Sequence, residues 1–169
     1  MIVLGIDPGT AVTGYGVVRA RGMQAAGGAE LLECGVIRTK ASEPLAVRLA
    51  DIYEGVRELI ARHHPQALAV EDVFYARNVR TTVVLGHARG VILLAGQQAG
   101  LAIHEYPPAD IKKAVTGRGG ATKEQVQFMV TKLLRLQSAP QPADAADGVA
   151  AALTCVMRAG VTRMLEAAR

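Results

Sequence analysis

Residues 2–20 read IVLGIDPGTAVTGYGVVRA, a sequence typical of two strands joined by a turn. The apolar run from Ile2 to Ile6 ends at Asp7, and Pro8-Gly9-Thr10 is a good turn sequence. The segment from Thr13 to Ala20 is therefore expected to pair with the first strand as a hairpin. Residues 2–20 therefore predict two antiparallel strands, the first of which is buried and ends at Asp7.

The remaining sequence alternates between helical and extended patterns. Strands are predicted over 31–39, 67–71 and 101–106, and helices from about 45 to a stop at 63–65, then over 78–98, 108–114, 122–136 and 143–158. Thr122, with Gln125 three residues later, predicts a capping box at the start of one of these helices. The order βββ-α-β-α-β-α-α-α predicts an α/β fold, a mixed five-stranded sheet with antiparallel opening strands and helices on both faces.

Length and composition set limits on the class of protein. A chain of 169 residues that is 50% hydrophobic is expected to form one domain over 1–169 with one core. Cys34 and Cys155 are too few for a disulfide framework and predict buried thiols in a reducing compartment. No basic region precedes the first apolar run, and no apolar stretch approaches the roughly 18 residues of a membrane span. We therefore expect a cytoplasmic protein without a signal peptide.

Four carboxylates stand where a metal-dependent nuclease would need them. Asp7 and Glu71 each end an apolar run, and Asp144 and Asp147 form a D-x-x-D pair that shares one helical face. No Lys or Arg is adjacent to any of them in the sequence, and a half-buried charge is costly without a partner. A hard cation such as Mg2+, which prefers oxygen ligands, would explain all four acids.

Each acid also has a purely structural interpretation. Asp7 suits a turn, Glu71 could face solvent at a strand end, and two acids at a helix start complement the helix dipole. Against the turn interpretation, Gly14 and Gly16 on the partner strand predict that a phosphate backbone can approach Asp7.

Positive charge is concentrated in the middle of the chain. From Arg77 to Arg135 there are nine Lys or Arg against three acids, whereas the rest of the chain holds ten basic and twelve acidic residues. A basic rim around an acidic centre suits a polyanion, although a solvated helical surface would look the same. Phe74, close to Arg77 and Arg80, suits base stacking and phosphate contact, or else a core aromatic. The predicted DNA-binding residues are Phe74, Arg77, Arg80, Lys112, Lys113, Arg118 and Lys123.

Taken in order, these segments resemble the RuvC family of Holliday-junction resolvases, within the ribonuclease H-like fold. The most specific segments are 5–10 (GIDPGT), 71–74 (EDVF), 122–127 (TKEQVQ) and 144–147 (DAAD). The resemblance implies that Asp7, Glu71, Asp144 and Asp147 bind metal and catalyse, and that Phe74 reaches DNA bases. Lys112 and Lys123 look like the family's basic residues near the DNA backbone and the active site, and Lys123 is counted with the catalytic residues. One departure is Asp72, where the family pattern has Gln.

The resemblance also implies a reaction and partners. The reaction is paired, symmetric hydrolysis of DNA phosphodiesters at a four-way junction, in recombination and repair, leaving 5′-phosphate and 3′-hydroxyl ends. Two Mg2+ ions per active site are expected, with Mn2+ as a substitute. The implied partners are branched DNA, a second copy in a homodimer, and a branch-migration complex of the RuvA and RuvB type.

Three other functions are compatible with parts of the sequence. An actin-like or sugar-kinase-like ATPase shares the strand-end Asp followed by Gly and Thr, but it usually needs a second, duplicated domain. A non-catalytic DNA-architecture protein needs the basic surface and not the four acids. A third possibility is a ribonuclease H-like nuclease acting on RNA–DNA hybrids.

Overall fold

In the computed structural model, the chain is described over residues 1–21, 28–72 and 79–167, with side chains as far as residue 160. The described strands are β1 (Ile2–Asp7), β2 (Val12–Ala20), β3 (Ala29–Arg38), β4 (Ala67–Glu71) and β5 (Ala102–Tyr106). The described helices are α1 (Leu45–His63), α2 (Val79–Gln98), α3 (Pro108–Thr116), α4 (Lys123–Leu133) and α5 (Ala143–Ala167). This order is the one that the sequence predicts.

The strands form one mixed sheet in the order β3-β2-β1-β4-β5. β2 pairs antiparallel with both β1 and β3, whereas β1–β4 and β4–β5 are parallel. The predicted hairpin is confirmed, with Asp7 opposite Gly14 in the β1–β2 register. The central strands β1 and β4 are covered on both sides, which explains their continuous apolar sequences.

Helices cover both faces of the sheet, as predicted. Val3 and Ala69 point to the face that packs against α3, α4 and α5. Leu4 and Leu68, one residue away in each strand, point to the opposite face, against α1 and α2. Among the described helices, none has the length and apolar character needed to cross a membrane.

The approach of α5 to the sheet depends on glycine. A Cβ atom at Gly14 would lie 1.9 Å from the backbone oxygen of Asp144, and one at Gly148 would lie 2.5 Å from the Cα of Tyr15. A Cβ at Gly16 would meet Val149 at 2.4 Å. The expectation that Gly14 and Gly16 leave room for a phosphate backbone is therefore wrong, because α5 occupies that space.

Helix ends follow local signals at most positions. α1 ends at His63, and the left-handed His64 that follows donates its backbone N–H to Ile60. The capping box at Thr122 is confirmed by reciprocal bonds with Gln125. α4 stops at Leu133, three residues before the predicted end, and Arg135 beyond it has a φ of 53°. α5 continues past the predicted Arg158, because Gly160 weakens a helix but does not end it.

Candidate active site

Asp7 and Glu71 end two neighbouring parallel strands. The register pairs Ile6 with Val70, so the two acids that follow stand side by side at one edge of the sheet. Alternation along each strand turns both side chains to the face with Val3 and Ala69, which is the α5 side. The parallel pairing therefore brings together two acids that are 64 residues apart in sequence.

Helix α5 brings the other two acids to the same place. Its first turn packs on β2, where the backbone oxygen of Asp144 lies against Gly14, the residue paired with Asp7. Asp147, one turn later, lines a cavity of about 180 Å3 together with Glu71, and its side chain is only 16% exposed. The four acids predicted from the sequence thus meet at the junction of β1, β4 and α5.

Lys123 supplies a positive charge to this cluster. It is the first residue of α4, and the capping box at Thr122 fixes where that helix begins. The Nζ atom of Lys123 lies 2.9 Å from Oδ2 of Asp147 and 3.9 Å from Oδ1 of Asp144. Lys112 of α3 lines the same cavity beside Glu71. Both lysines are residues that the sequence predicted near the site.

Burial and mutual repulsion make two of the acids hard to ionise. Burial, with the nearby charge of Asp147, raises the pKa of Asp7 to about 7, although Lys123 opposes the shift. Burial is the largest cause that raises the pKa of Glu71 to about 8, and the negative charges of Asp7 and Asp147 add to it. The hydrogen bond to Asp147 raises the pKa of Lys123 above its usual value. The chain therefore gathers more negative charge here than it can itself neutralise.

The donor set suits a hard divalent cation. All four acid side chains offer oxygen ligands, and a cation would offset both the burial and the mutual repulsion that raise the pKa of Asp7 and Glu71. Within the described residues, no three Asp, Glu, His or Cys side chains are already arranged to hold an ion. The Lys123 ammonium instead pairs with the α5 acids. Asp7, Glu71, Asp144 and Asp147 would hold the ion, and Lys123 would then share the oxygens of Asp144 and Asp147 with it.

Comparison with known proteins identifies the family. Residues 3–155 match the family described as Crossover junction endodeoxyribonuclease RuvC. The chain belongs to this family. It is 51% identical to the Moorella thermoacetica protein of that name over 153 residues, which cover 90% of this chain and 89% of that one. The corresponding Pelotomaculum thermopropionicum protein is 47% identical and is covered to 91%.

Solved structures of the RuvC family have the same fold. Thermus thermophilus RuvC in complex with Holliday junction substrate superposes with a TM-score of 0.87 at 38% identity, covering 96% of each chain. The yeast mitochondrial Holliday junction resolvase, at 12% identity and a TM-score of 0.66, shows the fold alone. The ribonuclease H-like class expected from the sequence is confirmed. As a RuvC family member the chain is an endodeoxyribonuclease, a hydrolase dependent on divalent metal.

The remaining residues predicted for DNA contact are spread over a wider surface. Lys113 is exposed on α3 beside Lys112, and Arg118 is exposed in the segment between α3 and α4. Arg80 is exposed in the first turn of α2. Phe74 and Arg77 lie outside the described residues, so their predicted roles stay predictions.

Two arginines that sequence reasoning missed support the ends of the strands that carry Asp7 and Glu71. Arg89 of α2 pairs with Asp72, at 3.2 Å between Nη2 and Oδ1, and with Glu105. Asp72, the departure from the family pattern, is thus paired away from the acids. Arg48 of α1 donates to the carbonyl of Thr10 in the turn after Asp7 and to the hydroxyl of Thr39. Long-range pairs of this kind leave no local signal in the sequence.

Proposed function

We propose that this RuvC family chain resolves four-way DNA junctions by symmetric cleavage of two strands, in recombination and repair. The observation that carries the proposal is the convergence of Asp7, Glu71 and the α5 acids beside Lys123. Support for the substrate comes from the Thermus thermophilus relative, whose structure is a complex with a Holliday junction.

Asp7, Glu71, Asp144 and Asp147 are the residues that would hold metal, two Mg2+ ions per site with Mn2+ as a substitute. Divalent ions in such a site activate water and stabilise the leaving oxygen of a phosphodiester. The acids must be ionised to act as ligands, so Asp7 and Glu71 give up the protons that their raised pKa values retain near neutral pH.

In the proposed hydrolysis, water oxygen bonds to phosphorus while the bond from phosphorus to the 3′-oxygen breaks. The products are a 5′-phosphate and a 3′-hydroxyl. Lys123 and Lys112 line the cavity beside the acids. With a cation held by Asp147, the Lys123 ammonium would be available to the phosphate, where it would offset the charge that develops there.

DNA contact is proposed for the basic surface around the cavity. Lys112, Lys113 and Arg118 follow one another along α3 and the segment after it, and Arg80 stands at the start of α2. Phe74 and Arg77, beyond the described residues, are proposed to meet bases and phosphates next to the cut. Contacts with phosphates make binding salt-dependent, and a few base contacts give sequence preference.

A homodimer is proposed because two strands must be cut symmetrically. Exposed apolar residues and glycines form one stripe along α2 at spacings of three and four: Val79, Val83, Gly86, Gly90 and Leu94. Among the described residues, no atom lies within 4 Å of a Cβ placed at Gly86 or Gly90. A second α2 could therefore approach closely here, and Val83→Glu is expected to yield monomers in sedimentation.

The remaining proposals concern the domain organisation, the cellular location and the protein partner of the chain. We propose that residues 1–169 act as a single nuclease domain in the cytoplasm, and that a branch-migration complex of the RuvA and RuvB type delivers the junction. Pull-down of such a complex on four-way DNA, with and without this chain, tests the second proposal.

One gel experiment distinguishes junction cleavage from the alternative functions, which are cleavage of RNA–DNA hybrids and DNA binding without cleavage. Purified chain is incubated with a four-way junction, a linear duplex and an RNA–DNA hybrid, with and without Mg2+. Metal-dependent paired nicks in the junction alone are expected. Preferential cleavage of the hybrid would instead favour a ribonuclease, and binding without any cleavage would favour an architectural protein.

Asp7→Asn is the decisive variant, expected to bind the junction and fail to cut it. Asp51→Asn, in an exposed position of α1, is the matched control and should cut normally. Cleavage by Asp7→Asn at the wild-type rate would refute the catalytic assignment.

A further inference from the structure

We propose that Phe128 and the cations around it form a second DNA contact, a platform on which an unpaired base of the junction stacks. This inference rests on the proposed function, since it assumes branched DNA as the ligand. It concerns residues of α4 outside the acid cluster.

Phe128 is unusually exposed for its size. Its side chain is 59% exposed. Of the large hydrophobic residues that are exposed in the described part of the chain, Phe128 is the aromatic one. The Nζ atom of Lys132, one turn further along α4, lies 5.4 Å from the ring centroid. The ammonium lies over the ring, and exposed aromatic rings with neighbouring cations are the features of surfaces on which single-stranded bases stack.

A cavity of about 390 Å3 adjoins the Phe128 ring. It lies between α4 and the segment after α3, and its lining includes Thr116, Arg118 and Met129 as well as Phe128. Local bonds shape its wall: the Thr116 hydroxyl donates to the carbonyl of Lys112 and accepts from the backbone N–H of Arg118. Arg118 is therefore presented beside the ring by ordered backbone.

The platform and the acid cavity are built on the same two helices, α3 and α4. Lys112 lines the acid cavity, and Thr116, one helical turn later on the same face of α3, lines the Phe128 cavity. On α4, Lys123 contacts the acids and Phe128 follows five residues later, roughly 7.5 Å along the helix axis and roughly 140° around it. The ring therefore lies on a different side of α4 from the acid cluster, and a strand that touches both must pass around the helix.

Charge favours DNA over a second protein copy as the occupant. Arg118 and Lys132 flank the ring, and the acid in the lining is Glu124, in the first turn of α4. Hydrogen bonds with its own backbone N–H and with the Thr122 side chain lower the pKa of Glu124. The exposed α2 stripe is more apolar and is the better surface for a second copy. Positive charge beside an aromatic face suits a base and its phosphates.

The test compares three variants of the full chain with a fluorescent four-way junction in EDTA, where binding is read without cleavage. Phe128→Ala and Phe128→Leu are expected to raise the junction Kd roughly 5- to 100-fold, whereas Phe128→Tyr stays within about twofold. With Mg2+ present, cleavage by Phe128→Ala and Phe128→Leu should weaken at junction concentrations below their raised Kd. Val47→Ala, at an exposed apolar position of α1, is the matched control.

A second measurement addresses the cations. Arg118→Gln should reduce the slope of log Kd against log salt by about 0.7–0.9, the value of one lost phosphate contact. An unchanged slope would show that Arg118 makes no phosphate contact and would overturn its part in the platform.

The outcomes separate this inference from the proposed function. Normal binding by Phe128→Ala, with wild-type cleavage intact, overturns the platform and leaves the resolvase function standing. Normal binding by Phe128→Leu shows that an apolar surface suffices, which also refutes stacking. A change in sedimentation of Phe128→Ala identifies a protein interface and rejects DNA as occupant. Failure of the wild-type chain to bind or cut junctions refutes both proposals.

Discussion

The Nζ atom of Lys123 lies 2.9 Å from Oδ2 of Asp147, so a cation from α4 neutralises part of the acid cluster on α5. Removing the Lys123 ammonium would leave the acid cluster without this neighbouring positive charge. In the proposed mechanism it would also remove a charge that stabilises the phosphate during cleavage. Lys123→Gln is expected to lower the rate of junction cleavage roughly 100-fold, the usual loss for one group that stabilises transition-state charge. Lys123→Arg should recover part of the rate, and Lys40→Gln, at an exposed position, should be unaffected. Junction affinity measured alongside should change far less than the rate.

The metal-free chain should lose stability as pH rises. The pKa of Asp7 is raised from 3.8 to about 7, and that of Glu71 from 4.5 to about 8. Because the folded state holds these protons more tightly than the unfolded chain, the stability that the two acids contribute is complete below about pH 4. It is lost as pH rises through the raised values, and at pH 8 Asp7 is largely ionised in the folded state while Glu71 is about half ionised. Thermal melts in EDTA at pH 5 and pH 8 measure this, with roughly 2–4 °C of Tm for each 1 kcal/mol. Asp7→Asn should flatten the profile, and an unchanged Tm in the wild type would contradict the assigned shifts.

Divalent metal should reverse that trend. Ligand acids must be ionised, so Mg2+ binds more tightly above the raised pKa values than below them. We expect 10 mM Mg2+ to increase Tm more at pH 8 than at pH 6, and titration calorimetry in two buffers to show proton release near pH 7. The Asp7→Asn variant should release fewer protons, whereas Asp51→Asn should match the wild type.

Asp72 is expected to have no influence on the choice of metal. Its carboxylate pairs with Arg89, and the residue follows Glu71 directly beyond the end of β4. Asp72→Gln, which restores the residue of the family pattern, should therefore leave the ratio of Mg2+- to Mn2+-supported cleavage unchanged. The cost in stability should be about 1 kcal/mol or less, because the carboxylate is partly solvated. A shifted metal ratio would mean that Asp72 acts on the site despite its pairing.

Gly14→Ala should damage the site without touching an acid. The added methyl would lie 1.9 Å from the backbone oxygen of Asp144, so α5 must shift away from β2. Overpacking of this kind costs typically 1–3 kcal/mol, and movement of Asp144 and Asp147 should also lower cleavage at temperatures where the variant is folded. Gly100→Ala is a useful comparison: it strains a residue with a φ of 70° far from the acids. It should lower Tm but not the activity of the folded fraction.

Much of the architecture was predictable because its signals are local. The apolar runs of β1 and β4, the spacing of three and four in α1, and the capping box at Thr122 identified elements in the right order. The meeting of the acids followed from their positions at strand ends and in one helical turn. The pairing of Arg89 with Asp72 could not be predicted, because it depends on how α2 crosses the sheet. The space beside Gly14 and Gly16 differs from the expectation for the same reason. Glycine in a strand indicates that another group approaches closely, but the sequence does not show whether that group is a helix or a ligand.

The order of the elements also governs when the enzyme can become active. Asp7 and Glu71 belong to strands near the beginning of the chain, whereas Asp144 and Asp147 belong to α5, the last helix described. A nascent chain on the ribosome therefore exposes two of the acids long before the other two are translated. In the proposed mechanism cleavage must await α5, and a product truncated before this helix would also lack Val149 and Leu153, which bury one face of the sheet.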